Sequence, residues 1–179
     1  MFIHKIDQET SLKLIEYKDA DSLFALTDES RQYLREWLPW IDATKTAEDT
    51  KAFIQSSLKG YADNKSLTTI ILDKDEVAGV AGFNTLDWAN QSAAIGYWLG
   101  EGFQGKGIMT KAVKALVDYA FEEMGLNRVE IRAAVENVKS RSIPERLNFK
   151  EEGILRQSER LYGRYVDHVV YSMLAEEWK

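Results

Sequence analysis

The chain has 179 residues, with 23 basic against 29 acidic side chains, a formal net charge of −6, and 45% hydrophobic residues. This is the composition of a soluble globular protein with room for a substantial core, and its acidity disfavours nonspecific nucleic-acid binding, which needs a basic footprint. Cysteine is absent and only His4 and His168 supply imidazole, which removes disulfide scaffolds, thiolate metal sites, cysteine nucleophiles and His-rich metal centres.

Residues 1–7 lack the charged-then-apolar order of a signal peptide, and no apolar run approaches a membrane span, so the cytoplasm is the expected compartment and no membrane partner is expected. Leu12, Leu14 and Tyr17 alternate with polar neighbours and predict an opening strand. Asp19 and Asp21 can cap a short helix carrying Leu23, Phe24 and Leu26, and a second short helix over 33–38 stops at Pro39. Thr46 with Asp49 resembles a capping box that opens a helix with Phe53, Ile54, Leu58 and Tyr61 on one face. Three strands follow at 67–72, 77–83 and 93–99, and their short connections predict an antiparallel meander. Ile108, Met109, Ala112, Val113, Leu116, Val117 and Ala120 recur at helical spacing, and Gly125 can end that helix. Val129, Ile131 and Ala133 alternate in the next strand, so residues 93–135 form one βαβ crossover. A short helix at 138–147 and strands at 149–158 and 165–174 complete a single domain over 1–179. No linker composition or internal repeat divides it.

The run Gly100-Glu-Gly-Phe-Gln-Gly-Lys-Gly-Ile-Met109 joins a strand to the strongest helix. Glycines there let the backbone turn tightly and approach a ligand, and the helix start adds unpaired N–H donors, a phosphate-binding arrangement. A P-loop requires Lys followed by Ser or Thr after its last glycine; Lys106 instead precedes Gly107. Gly100, Gly102 and Gly105 satisfy G-x-G-x-x-G, but a dinucleotide fold needs several βαβ units and the chain offers one.

Gln104-Gly-Lys-Gly-Ile-Met109 resembles the Arg/Gln-x-x-Gly-x-Gly/Ala motif of the GNAT acetyltransferases. Asn137 with Ser140 is similar to that family's next block, and Arg31-Gln-Tyr-Leu-Arg-Glu-Trp-Leu-Pro-Trp40 resembles its RimJ/RimL branch, the ribosomal-protein N-terminal acetyltransferases. The resemblance implies an α/β fold with a mixed, mostly antiparallel, splayed sheet of about six to seven strands flanked by helices. It implies acetyl-CoA as donor and no metal. The amides of Gly105, Lys106, Gly107, Ile108, Met109 and Thr110 would take the CoA pyrophosphate, and Gln104 and Asn137 would also contact CoA. The backbone near Leu99 would pair with the pantetheine arm as a sheet edge pairs with a peptide. A homodimer is an expectation from the resemblance alone. Two departures stand out: Met109 where the wider family prefers Gly or Ala, and Pro144 where many members place a proton-donating Tyr.

Acetyl transfer to nitrogen needs a neutral amine and a proton for the leaving thiolate. An α-amine is roughly a tenth neutral at pH 7, a lysine far less, so a protein N-terminus starting in Ser or Ala is the easier acceptor. By position, the resemblance implies Glu159 as base and Ser140 as acid; each also reads as ordinary, Glu159 as a solvated charge and Ser140 as a helix cap. Asn137 is a cap or a CoA contact. Lys106, Lys111 and Arg141 could neutralise CoA phosphates, Trp37 and Trp40 could line the acceptor cavity, and His168 reads as structural. Alternatives are a small-amine acetyltransferase (polyamine, aminoglycoside) and a non-catalytic CoA-binding module.

Overall fold

The computed structural model describes residues 2–179. The strands are β1 (Ile3–Lys5), β2 (Thr10–Leu14), β3 (Leu67–Asp73), β4 (Glu76–Asp87), β5 (Ser92–Leu99), β6 (Arg128–Ala134), β7 (Lys150–Leu161) and β8 (Arg164–Leu174). The helices are α1 (Ala20–Glu29), α2 (Arg31–Arg35), α3 (Ala47–Ala62), α4 (Ile108–Glu122) and α5 (Val138–Arg146). The strands form one sheet in the order β1-β2-β3-β4-β5-β6-β8-β7. Its β5–β6 pair is parallel and every other pair antiparallel, as the single crossover through α4 requires.

The sheet has eight strands where six to seven were expected. The Asp7 carboxylate accepts from the amides of Glu9 (2.9 Å) and Thr10 (2.7 Å), which folds the predicted opening strand into a β1–β2 hairpin. Tyr17, expected at the end of that strand, lies in a 3-10 turn and is exposed. The Thr46/Asp49 capping box is present at the start of α3. The apolar stripe of α3 is narrower than the spacing predicts: Ile54 is buried, while Phe53 and Tyr61 face open cavities.

On one side of the sheet α4 packs Ala112, Val113, Leu116, Val117 and Ala120 against Ile95, Val129, Ile131, Val169 and Tyr171. Each of the larger of these side chains contributes about 1.5–3 kcal/mol by leaving water, which makes this layer the main anchor of the fold. On the other side α1 and α3 cover Ile15, Ile70, Leu72 and Val80 with Leu23 and Ile54.

The sheet is not continuous at its parallel junction. β5 and β6 pair from Ser92/Arg128 to Ile95/Ile131 and then part. Beyond that point β5 stays on β4 to Leu99, and β6 stays on β8 to Ala134. The result is a V-shaped opening between Gly96–Leu99 and Arg132–Ala134. At the outer edge β7 follows β8 with register shifts between Glu151/Gly153 and Leu155/Glu159, and Gln157 takes a left-handed φ of 49°. No helix among the described residues is long and apolar enough to cross a membrane.

Candidate active site

The glycine-rich turn leads from the end of β5 directly into α4. Gly105 and Gly107 sit at φ 76° and 73°, in the left-handed region that glycine enters at little cost. Gly107 is the N-cap residue and brings no side chain to the first-turn amides, which are left to a ligand or to water. A Cβ at either glycine would meet nothing within 4 Å, so the backbone here faces open space. The Thr110 hydroxyl, in the same first turn, is buried and has no hydrogen-bond partner. These groups border a cavity of about 630 Å³ that Leu99, Lys139, Ser142 and Arg146 also line. Convergent amides, a helix start and an unpaired buried hydroxyl fit a phosphate group.

The nearby cations are unequally available. Lys111 is bound to Asp7 at 2.7 Å, and this bond, with two backbone amides, holds the Asp7 carboxyl well below the usual carboxylate range. Lys106 lies over the Phe103 ring and lines none of the cavities of the site; its amide, not its charge, belongs to the loop. Arg141 is committed to Tyr171 Oη (2.8 Å) and Val135 O (2.9 Å). Arg146 makes no ion pair among the described residues and faces the cavity. Ile108 and Met109 are buried, so only their backbone reaches a ligand in the cradle. The Gln104 side-chain amide turns back and donates to Leu99 O at 3.1 Å.

From this cradle the site narrows to a waist of about 100 Å³ that shares Leu99, Gln104, Met109, Lys139 and Ile143 with it. Asn137 and Ser140 form its α5 wall, and Trp37 and Tyr33 close the other side. Asn137 is the N-cap of α5: its Oδ1 accepts from the Ser140 amide at 3.2 Å. Ser140 is therefore not the cap; it lines the waist, and its hydroxyl donates to Tyr97 Oη at 3.5 Å. Tyr97 Oη donates to Ser140 O at 2.8 Å, and burial pushes the Tyr97 phenol up from its ordinary pKa.

Leu38, Tyr97 and Trp98 line both the waist and a third cavity of about 440 Å³ on the α1/α3 side of the sheet. Its floor is Gly82, Gly96 and Val80, with the Asn84 side chain laid across Gly96 so closely that a Cβ there would sit 2.1 Å from Nδ2. Trp40, Trp98 and Phe53 supply aromatic walls; Thr27, Thr44, Thr50, Thr68 and Asn84 supply the polar groups. No charged residue lines it. The Trp37–Trp40 segment is held over this space by Tyr162 at the β7–β8 turn, whose Oη donates to Leu38 O at 2.6 Å, and by Arg35, which lies 3.9 Å over the Tyr162 ring.

Glu159 lines none of these three cavities. It pairs with Val166, and its Oε1 lies 3.6 Å from His168 Nε2. Strand alternation against the core residues Val169 and Tyr171 turns His168 and Glu159 to the sheet face that carries the 440 Å³ cavity, across the V-shaped opening from Trp98. The sequence reading names the loop, Asn137 and Ser140, which border one connected groove. It misses Tyr97, whose signal was its phase: it follows Ala93 and Ile95 on the α4/α5 side of β5, where its only polar atom must find a partner.

Comparison with known proteins follows the same outline. The family described as "Acetyltransferase (GNAT) domain" matches residues 11–150. YdaF of Bacillus subtilis (strain 168), provisionally named a ribosomal N-acetyltransferase, is 39% identical over 180 residues, covering 100% of this chain and 98% of its own. Among solved structures, the RimL ribosomal L7/L12 α-N-protein acetyltransferase in complex with coenzyme A superposes with a TM-score of 0.93 at 28% identity, covering 97% of this chain and 98% of that one. The microcin C7 self-immunity acetyltransferase MccE in complex with acetyl-CoA and AMP gives 0.91 at 33% identity, covering 95% and 94%.

Proposed function

Since the chain belongs to the GNAT acetyltransferase family and uses acetyl-CoA, we propose that its acceptor is the N-terminal α-amine of a protein, a ribosomal protein among them, whose first residue is small and uncharged. The observation that carries this reading is the uncharged lining of the 440 Å³ cavity that joins the donor groove at Leu38, Tyr97 and Trp98. A polyamine or aminoglycoside brings several cations, and burying them beside threonines and aromatic rings without a carboxylate is unfavourable by several kcal/mol per charge, on the order of the usual buried-ion penalty. A single amine that can lose its proton meets no such barrier. The same lining holds no cation for a nucleotide phosphate, so the AMP found with MccE does not carry over to this cavity. The ribosomal α-amine named for RimL supports the protein acceptor.

Acetyl-CoA supplies the acetyl group as an activated thioester. In the proposed assignment the amides from Gly105 to Thr110 and the Thr110 hydroxyl hold the pyrophosphate, and the Leu99 backbone, Gln104 and Asn137 border the pantetheine path. Glu159, which stands outside the 440 Å³ cavity, accepts through an intervening water the proton that the acceptor nitrogen loses, on the α1/α3 face. Ser140 Oγ donates a proton to the departing sulfur on the α5 face as the C–S bond breaks and the C–N bond forms. Acid and base thus work from opposite sides of the opening.

The test is release of CoA thiol when acetyl-CoA is mixed with hexapeptides starting in Ser or Ala, with the acetyl group located by mass spectrometry. Expected are a kcat/KM at least roughly tenfold above that for spermidine or kanamycin, and no reaction when the peptide N-terminus is blocked. Turnover confined to the polyamine or the aminoglycoside would refute the α-amine reading.

A further inference from the structure

Pro144 lies inside α5 and has no N–H to give. The amide it lacks is the one that would donate to the carbonyl four residues earlier, that of Ser140. Helix α5 therefore presents one carbonyl without a helical donor, and it belongs to the residue that faces the waist. The donor comes from another element: Tyr97 on β5 places its hydroxyl 2.8 Å from Ser140 O, and the same phenolic oxygen stands 3.5 Å from Ser140 Oγ. The next residue grips the other side of the opening. Arg141 donates to Tyr171 Oη on β8 at 2.8 Å and to Val135 O just past β6 at 2.9 Å, while Tyr171 Oη donates to Glu145 at 2.8 Å. Two adjacent residues of α5 thus bind the two diverging halves of the sheet.

We propose that Tyr97 is a positioning residue for Ser140, docking the first turn of α5 onto β5 through the carbonyl that Pro144 leaves without a helical donor. The proposal rests on Ser140 as the acid toward the thiolate. Its structural half does not: a proline and a tyrosine far apart in sequence are coupled through one oxygen. The phenol, held protonated by burial, stays a donor across the working pH range.

The coupling makes a double-mutant cycle decisive. Tyr97→Phe leaves Ser140 O without a donor and should lower Tm by roughly 2–4 °C. It should also lower kcat roughly fivefold to tenfold, with both KM values within about twofold, because the loss is one of alignment and not of binding. Pro144→Ala restores the missing amide, so Tyr97→Phe/Pro144→Ala should regain the lost Tm without regaining kcat. In a Ser140→Ala background, Tyr97→Phe should slow the reaction no further. An unchanged Tm in Tyr97→Phe, or no recovery on adding Pro144→Ala, would overturn the coupling. Full recovery of kcat in the double variant, or continued slowing in the Ser140→Ala background, would overturn the positioning role. Ser140→Ala with undiminished kcat refutes the acid assignment alone, and the Tm cycle still reads the coupling by itself.

Discussion

Ser140 and Glu159 sit on opposite faces of one sheet, and under the proposed assignment their variants should leave different kinetic traces. Glu159→Gln should lower kcat roughly tenfold to a hundredfold at pH 7 and recover part of it as the pH rises, because an amine that deprotonates in solution no longer needs the carboxylate. Ser140→Ala should lower kcat by a similar factor without that recovery, since the thiolate's proton is then missing at every pH. Initial rates over pH 6–9 with a Ser-starting peptide separate the two, and parallel profiles would refute the division of labour. At this scale the sequence was informative where chemistry is local. Asn137 three residues before Ser140 is a cap by spacing, and the cap is observed. Gly105 and Gly107 are glycines because the backbone there is left-handed. Tyr97 was not legible, because its partner is the carbonyl of Ser140, 43 residues away, which Pro144 leaves without a helical donor. The setting of Glu159 beside His168 was hidden for a related reason: a two-residue bulge in β7 decides which β8 residue it meets.

At the scale of elements, the turn between β5 and α4 is where local rules agree most fully with the outcome. A strand of alternating residues, a glycine run and a strong amphipathic helix predicted one crossover, and α4 begins at Ile108, where the apolar spacing begins. Gly107→Ala tests what that start is for. A left-handed alanine costs about 1 kcal/mol, so a small loss of stability is expected whatever the loop binds. A Cβ on the open side of the cradle also blocks close backbone approach, so calorimetry should show acetyl-CoA binding weakened at least roughly tenfold, well beyond the strain itself. Equal affinity in variant and parent would mean that the loop amides do not hold the pyrophosphate. What local rules missed here were the features set by distant pairing. The Asp7 turn splits one predicted strand into two, and the narrowed stripe of α3 follows from Phe53 facing a cavity that only the folded β4–β5 floor creates.

Across the whole molecule, the halves of the sheet on either side of the opening need their own ties. On the β6–β8–β7 side, Arg128 donates to both Glu152 oxygens (2.7 and 2.9 Å) and to Glu130 (2.8 Å), and Ser172 donates to Glu152 at 2.6 Å. The Arg128 guanidinium, then the Ser172 hydroxyl, hold the Glu152 carboxyl at about 2 against an ordinary 4.5. A carboxyl lowered in the folded state stabilises it fully above its unfolded value. That contribution fades as the pH falls from about 4.5 toward about 2. Glu152→Gln should therefore cost about 1 kcal/mol at pH 7, a modest figure because the pair is partly solvated, and should converge with the parent near pH 2. Thermal melts across that range check it; a constant gap at all pH values would assign the loss to packing instead. The two outer strands have a further consequence, for how the protein behaves when crowded. β1 is three residues long, and the bulges of β7 leave no run beyond the three residues Gly153–Leu155 or Glu159–Leu161 in unbroken register. Exposed strand edges are templates on which chains stack into fibrils, and both of these are too short or too kinked to serve. The strand backbone of Gly96–Leu99 and Arg132–Ala134, unpaired where β5 and β6 part, faces inward into the cleft, where a slender substrate can reach it and a second folded chain cannot.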